Sequence, residues 1–230
     1  MFGPEVTRAA LAHAEAEFPR ESCGLVVAGA YLPCENVAAG QETEFCISPR
    51  DYAGAMRTGT IQAVVHSHPD GLDHPTENDM VHQMASFLPW CILPRGGRPF
   101  WFGDQCPIPP LTGRAYRVGV TDCYAVIRDW YRSERQIILL NVPRQNKWWK
   151  MGRNLFMDNF QAAGFSMVEI DEAQRGDVLL AHLFKSPVPN HAALYLGDSL
   201  ILQHLPGRIS GREPVARWRR HFTICLRYTG

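Results

Sequence analysis

Apolar residues recur at helical spacing from Glu5 to Phe18, and Pro19 ends that run. "CGLVVAG" follows as an unbroken apolar stretch, the pattern of a buried strand. In "SPRDYAGAMRTG" Ser48 stands where an N-cap belongs, Pro49 at the first helical position and Gly59 just past the end. "IQAVVHSH" is rich in β-branched residues and predicts a strand, "TENDMVHQMASF" a helix, and "WCILP" and "RPFWFG" two further strands. Later in the chain "TDCYAVIRDWYRSE" and "NLFMDNFQAAG" read as helices, the second closed by Gly164. "RGDVLLAHLF", "HAALYLG" and "SLILQHL" read as strands.

Between the two groups lies "GDQCPIPPLTG", whose prolines and glycines mark a boundary. It divides the 230 residues into a domain over 1–104, a linker over 105–113 and a domain over 114–230. Strands mixed with helices in the first half predict an α/β or α+β unit. Helices followed by strands in the second predict α+β.

Charge narrows the range of functions. Lys plus Arg and Asp plus Glu both number 23, so no basic excess suits the chain to nucleic acid. The opening "MFGPEVTRAALAHAEAEFPRE" is too charged for a secretory signal, and no apolar run is long enough for a transmembrane segment. Seven cysteines without a C-x-x-C pair argue against a disulfide framework and point to a reduced compartment.

In "HSHPDGLDHPTEND", strand alternation puts His66 and His68 on one face. A turn at Pro69 and a helix starting near Thr76 bring Asp79 back over that face. Two imidazoles and one carboxylate suit zinc with an open fourth position, and a nearby carboxylate such as Glu21 is then needed to take a proton from water. The same residues admit a second reading, because Thr76 and Asp79 have nearly the spacing of a capping box. Taken together, "PRESCGLVVAG", "HSHP", Thr76 and Asp79 resemble the JAMM (MPN+) metallopeptidases over roughly residues 5 to 102. The resemblance implies a mixed-sheet, cytidine-deaminase-like domain in which His66, His68 and Asp79 ligate Zn2+ and Glu21 is the general base. Thr76 stands where the family has a Ser that steadies the oxyanion, keeping the hydroxyl on a stiffer side chain.

The second cluster is in the C-terminal half. Cys123 opens a helix, where free amides and the macrodipole favour a thiolate. A two-residue turn at Gly197-Asp198 makes His191 face His204 and Tyr195 face Leu200, with Cβ atoms about 5 Å apart. One imidazole can then serve as base for Cys123 and the other as its orienter. The alternative is a buried cysteine and a decorated strand end. "GRAYRVGVTDCYAVIRDWY", "RGDVLL" and "NHAALYLGD…LQH" resemble the NlpC-type, papain-like cysteine peptidases that cut peptidoglycan stem peptides. That likeness implies Cys123 as nucleophile, His191 as base, His204 as orienter and Tyr116 as a hydroxyl lining the site.

The fusion of the two domains in this order and length resembles the tail-tip assembly proteins of lambdoid phages. It implies peptidoglycan peptides and other tail-tip proteins as partners, and residence in the host cytoplasm during assembly or at the virion tail tip. A structural tail-tip part whose peptidase sites are not used is the alternative. Trp148 and Trp149 suit packing or a substrate groove, and the basic "RISGREPVARWRRH" suits a solvated face.

Overall fold

A computed structural model describes residues 1–230, which divide into two compact units, Met1–Pro107 and Ile108–Gly230. In the first unit the elements run α1 (Pro4–Glu17), β1 (Cys23–Val27), β2 (Ala30–Cys34), α2 (Pro49–Thr58), β3 (Ile61–His68), α3 (Glu77–Ser86), β4 (Trp90–Pro94) and β5 (Phe100–Phe102). The sheet order is β2-β1-β3-β4-β5, antiparallel except for the parallel β3–β4 pair that α3 connects. One face is closed by α1, whose Val6 and Ala10 pack with Val26, Ala63, Val65, Cys91 and Leu93. Alternation along β3 sends Val64, His66 and His68 to the other face, so both histidines leave the sheet on the side away from α1. Edge strand β2 has no counterpart among the sequence predictions. Only its last residue is buried, and its apolar pattern is correspondingly weak.

The second unit holds α4 (Cys123–Trp130), α5 (Leu155–Asn159), β6 (Phe165–Val168), β7 (Val178–Ala181), β8 (His191–Gly197), β9 (Leu200–Gln203), β10 (Gly211–Pro214) and β11 (Phe222–Tyr228). Its sheet order is β10-β9-β8-β7-β11-β6, antiparallel throughout. On one face Val126 and Ile127 of α4 pack with Ala192, Leu194, Val178, Leu180 and Leu202. On the opposite face Ala193, Leu179, Ala181 and Ile201 meet Phe222. The helix expected over "NLFMDNFQAAG" is only one turn and a half long, and the chain then reaches Gly164 through turns. A π-helical turn, Tyr131–Arg135, continues α4. β6, β10 and β11 went unrecognised. β10 is an edge strand of "GREP", with no buried residue to mark it.

The β8–β9 hairpin departs from expectation in a way that matters below. The turn residues are Asp198 and Ser199, both left-handed (φ 49° and 58°), not Gly197 and Asp198. Gly197 (φ 84°) pairs with Leu200, and a bulge leaves Leu196 without a partner. Beyond it Ala193 faces Gln203 and Tyr195 faces Ile201, one position off the predicted register. The reason is twist: a turn with both central residues at positive φ matches the right-handed twist of the strands, and the bulge absorbs the extra residue.

That turn yields a stability prediction. Ser199 is held in a conformation costing a non-glycine residue about 1 kcal/mol, and Asp-Gly is a favoured pair for it. Ser199→Gly should therefore raise stability by about 0.5–1 kcal/mol in denaturant unfolding. A loss of stability would contradict the turn assignment.

Candidate functional sites

In the first unit α3 starts with Thr76 as N-cap. Thr76 Oγ1 accepts the Asp79 amide at 3.1 Å, and the Asp79 carboxylate accepts the Thr76 amide at 2.7 Å. The capping box is therefore real. It is also what aims the carboxylate: Asp79 Oδ1 lies 3.3 Å from His66 Nε2, and Oδ2 lies 3.3 Å from His68 Nε2. The two readings of this motif describe one arrangement, in which the cap positions the third member of the cluster.

The protonation logic of the cluster favours a cation. His68 Nδ1 lies 2.8 Å from the Leu72 carbonyl, which can only accept, so Nδ1 carries the proton. A neutral His68 then turns an Nε2 lone pair towards Asp79 and towards His66 Nε2, 3.1 Å away. One ligand atom from each of the three residues lies within 4.8 Å of the others, and all three residues are buried. Lone pairs gathered this closely repel unless a proton or a metal ion sits among them. The donor set of two imidazoles and a carboxylate, with Nδ1 of His68 anchored by a backbone carbonyl, fits a metal ion. Burial alone would raise the Asp79 pKa, but the interactions with His66 and His68 outweigh it and hold the carboxyl well below the usual range. Burial likewise lowers His66, whereas for His68 the pull of Asp79 and Leu72 outweighs burial and raises it.

Glu21 was beyond the reach of spacing arguments, and pairing across the sheet places it. Cys23 faces His66, the Ser22 amide donates to Ser67 Oγ at 2.8 Å, and the Ser67 amide returns to the Ser22 carbonyl at 3.0 Å. The residue between the two histidines thus locks the residue after Glu21. The Glu21 carboxyl is buried, which pushes it up to about 7. Nearby His68 lowers it, and the Asp79 charge raises it. His74, in the same segment, pairs with Asp73.

In the second unit Asp122 caps α4 by accepting the Ala125 amide at 2.9 Å and the Gly119 amide at 2.7 Å. Arg144 closes the arrangement with two 2.8 Å bonds, Nε to Oδ2 and Nη2 to Oδ1, both residues being buried. Sequence reading missed Arg144, because 22 residues separate it from Asp122 and no local pattern marks it. Cys123 follows directly, its sulfur approached by the Ala192 and Tyr124 amides. Burial nevertheless pushes the thiol up to about 12, and the Asp122 charge adds to this against the pull of those amides and Arg144. Desolvation thus works against the thiolate expected from the helix start. Tyr116 lines the same cavity as Cys123, and burial raises its phenol.

The one-position register shift reassigns the histidines. His191 Nε2 lies 2.9 Å from Gln203 Oε1, and Gln203 Nε2 donates to Glu213 Oε1 at 3.1 Å. Gln203, which faces Ala193, reaches His191 diagonally and makes the contact expected of His204. His204 instead stacks edge-on to Tyr116, with ring centroids 5.1 Å apart, and donates from Nε2 to the Arg208 carbonyl at 3.1 Å. Its expected role as orienter is not supported by this geometry. Burial lowers His191 to about 4, against the raising effect of the Gln203 hydrogen bond, so its imidazole is neutral. An Asp198-Ser199 turn alone would set Ala193 opposite His204; the bulge at Leu196 is what brings Gln203 opposite Ala193, diagonal to His191.

Comparison with known proteins matches each unit. Residues 97–227 match the NlpC/P60 family, and residues 4–102 match the prokaryotic homologues of the JAB domain. The chain belongs to the NlpC/P60 family and carries a JAB-type domain ahead of that region. Among relatives, it is 43% identical over 175 residues to the tail tip assembly protein K of Escherichia phage lambda, covering 76% of this chain and 85% of that protein. It is 34% identical over 234 residues to the tail tip assembly protein K of Escherichia phage N15, covering 96% and 93%. The NlpC/p60 domain of the peptidoglycan hydrolase SagA is 18% identical, covering 51% of this chain and 89% of that one. Its TM-score of 0.36 is too low to carry an argument.

Two outcomes follow from the charges. Arg144→Met leaves the Asp122 carboxylate buried and unpaired, so it should cost about 3–5 kcal/mol in unfolding experiments. A change near zero would show that the pair is not buried in solution. Because Cys46 is exposed and Cys123 is buried with a raised pKa, alkylation followed by peptide mapping should label Cys46 first. Faster labelling of Cys123 would mean that its thiolate is preformed.

Proposed function

We propose that the chain is a tail-tip assembly protein with two hydrolytic sites: a zinc site that cuts a peptide or isopeptide bond, and a cysteine site that cuts peptidoglycan stem peptides. The observation that carries this reading is that each unit gathers a full set of competent groups in one place. His66, His68 and Asp79 meet beside Glu21 in the first. In the second the Cys123 sulfur meets the amide of Ala192, the residue after His191, and His191 pairs with Gln203.

In the zinc site His66, His68 and Asp79 would hold the ion, which would supply Lewis acidity when bound. Glu21 takes a proton from the attacking water and returns it to the departing amine. The Thr76 hydroxyl accepts the Asp79 amide, which leaves its own proton for the developing oxyanion.

In the cysteine site the thiol and imidazole rest neutral, so the proton moves as the bond forms. His191 accepts it while Cys123 sulfur attacks the carbonyl carbon, then donates it to the leaving amine. Water releases the acyl group. Gln203 fixes the His191 tautomer by accepting from Nε2, which leaves Nδ1 as the base, and Tyr116 lines the site with its hydroxyl. The work of the protein lies with the phage tail, during assembly in the host and at the tail tip, with other tail-tip proteins as partners. A purely structural tail role is the second reading, favoured by the high thiol and low imidazole pKa values at rest.

Purified protein should carry about one zinc per chain, with Glu21→Gln keeping the metal and losing about a hundredfold or more in hydrolysis. Protein that neither contains zinc nor takes it up would overturn the ligand set. On muropeptides, a thiol blocker and Cys123→Ala should each abolish cleavage while a chelator leaves it intact. Cleavage that survives Cys123→Ala would remove the cysteine from the mechanism.

A further inference from the structure

A cavity opens directly beside Cys123 in the second unit, with about 790 Å3 of empty space including its mouth. Water-sized molecules can occupy about 60 Å3 of it, so its lining rather than its size sets what it accepts. Its walls come mainly from the segment between the π-helical turn and β6. Tyr124, Val142, Trp148, Leu155 and Phe156 surround it, and Phe165, Val178 and Leu226 contribute from the sheet. Trp148 is buried and packs edge-on against Phe156 and Trp149, with ring centroids 5.7 and 5.6 Å apart, while Tyr124 meets Phe156 at 6.2 Å. The tryptophan pair noted in the sequence therefore both packs and lines a groove.

Several polar groups on this wall are engaged elsewhere, while Gln145 and Asn146, which also line it, are exposed. Arg144 is held by Asp122, Asn159 Nδ2 donates to the Leu155 carbonyl at 2.8 Å, and the Asn190 side chain bonds the Leu183 backbone in both directions. Lys147 is exposed. The cavity is thus an aromatic and aliphatic box ending at a nucleophile. Stem peptides offer mostly alanine methyls and charged chains, which would leave such walls unfilled.

We infer that this cavity is a substrate subsite for one large apolar side chain, of the phenylalanine or leucine class, next to the bond that Cys123 attacks. This rests on reading Cys123 as the nucleophile, and it extends the substrates of the domain from stem peptides to protein segments carrying bulky apolar residues. Filling the box also excludes water from the sulfur, which strengthens the amide contacts to it.

The test is a ligand-detected NMR titration of the full chain with N-acetylphenylalaninamide and N-acetylalaninamide. A parallel arm follows iodoacetamide labelling of Cys123 and Cys46 by peptide mapping. The phenylalanine amide should bind about tenfold or more tightly than the alanine amide, the ratio expected from burying a benzyl group instead of a methyl. It should protect Cys123 but not Cys46. Phe156→Ala, and separately Tyr124→Ala, should bring the two amides to similar affinity, so that one poorly folded variant does not decide the matter. Equal binding of the two amides by the parent chain, or phenylalanine binding unaffected by both variants, overturns the subsite. If the preference holds and Phe156→Ala removes it, while Cys123→Ala still cleaves muropeptides, the subsite stands and the nucleophile assignment falls.

Discussion

A carboxylate removed from water must be given donors or counter-charges, and in each unit that requirement falls on a residue at the start of a helix. Asp79 sits in the first turn of α3, accepts the Thr76 amide and faces two imidazoles. Asp122 caps α4, accepts two amides and is clamped by Arg144. Each helix start is therefore built around its carboxylate, and each candidate site depends on that construction. The imidazole cluster needs Asp79 aimed at it, and Cys123 stands one residue past Asp122. Capping and chemistry are joined in the same atoms, so damage to a cap reaches the site.

The two sites differ in what burial does to them. In the first unit burial concentrates lone pairs and raises Glu21 to about 7, so the cluster calls for a cation and holds a base ready beside it. In the second, burial raises the thiol to about 12 and lowers the imidazole to about 4, so both favour their neutral forms beside the Asp122–Arg144 pair. A resting thiol of this kind is protected from adventitious oxidation, since the thiolate is the reactive form. The aromatic cavity beside it accentuates the same property by keeping the sulfur in apolar surroundings.

Much of this was legible in the sequence where a local rule acts alone. Alternation placed His66 and His68 on one face, Ser48 and Pro49 marked the start of α2, and the Thr76–Asp79 spacing announced the capping box. Long-range placement was not legible. Glu21 reaches the cluster through the Ser22–Ser67 bonds, and Arg144 reaches Asp122 from a distant loop. The hairpin shows how narrow the margin is. "LGDSL" allows a turn at Gly-Asp or at Asp-Ser, and the turn together with the bulge at Leu196 decides whether His204 or Gln203 shares a face with His191. Strand twist and a bulge settled it, and neither has a signature in five residues.

His66, His68 and Asp79 are proposed as the metal site of a hydrolytic domain. The most direct test is X-ray absorption at the zinc edge on zinc-loaded protein, alongside the His68→Ala variant. The zinc should be coordinated by nitrogen and oxygen only, with backscattering from two imidazoles that falls to one in the variant. A shell containing sulfur, or one that His68→Ala leaves unchanged, would contradict it.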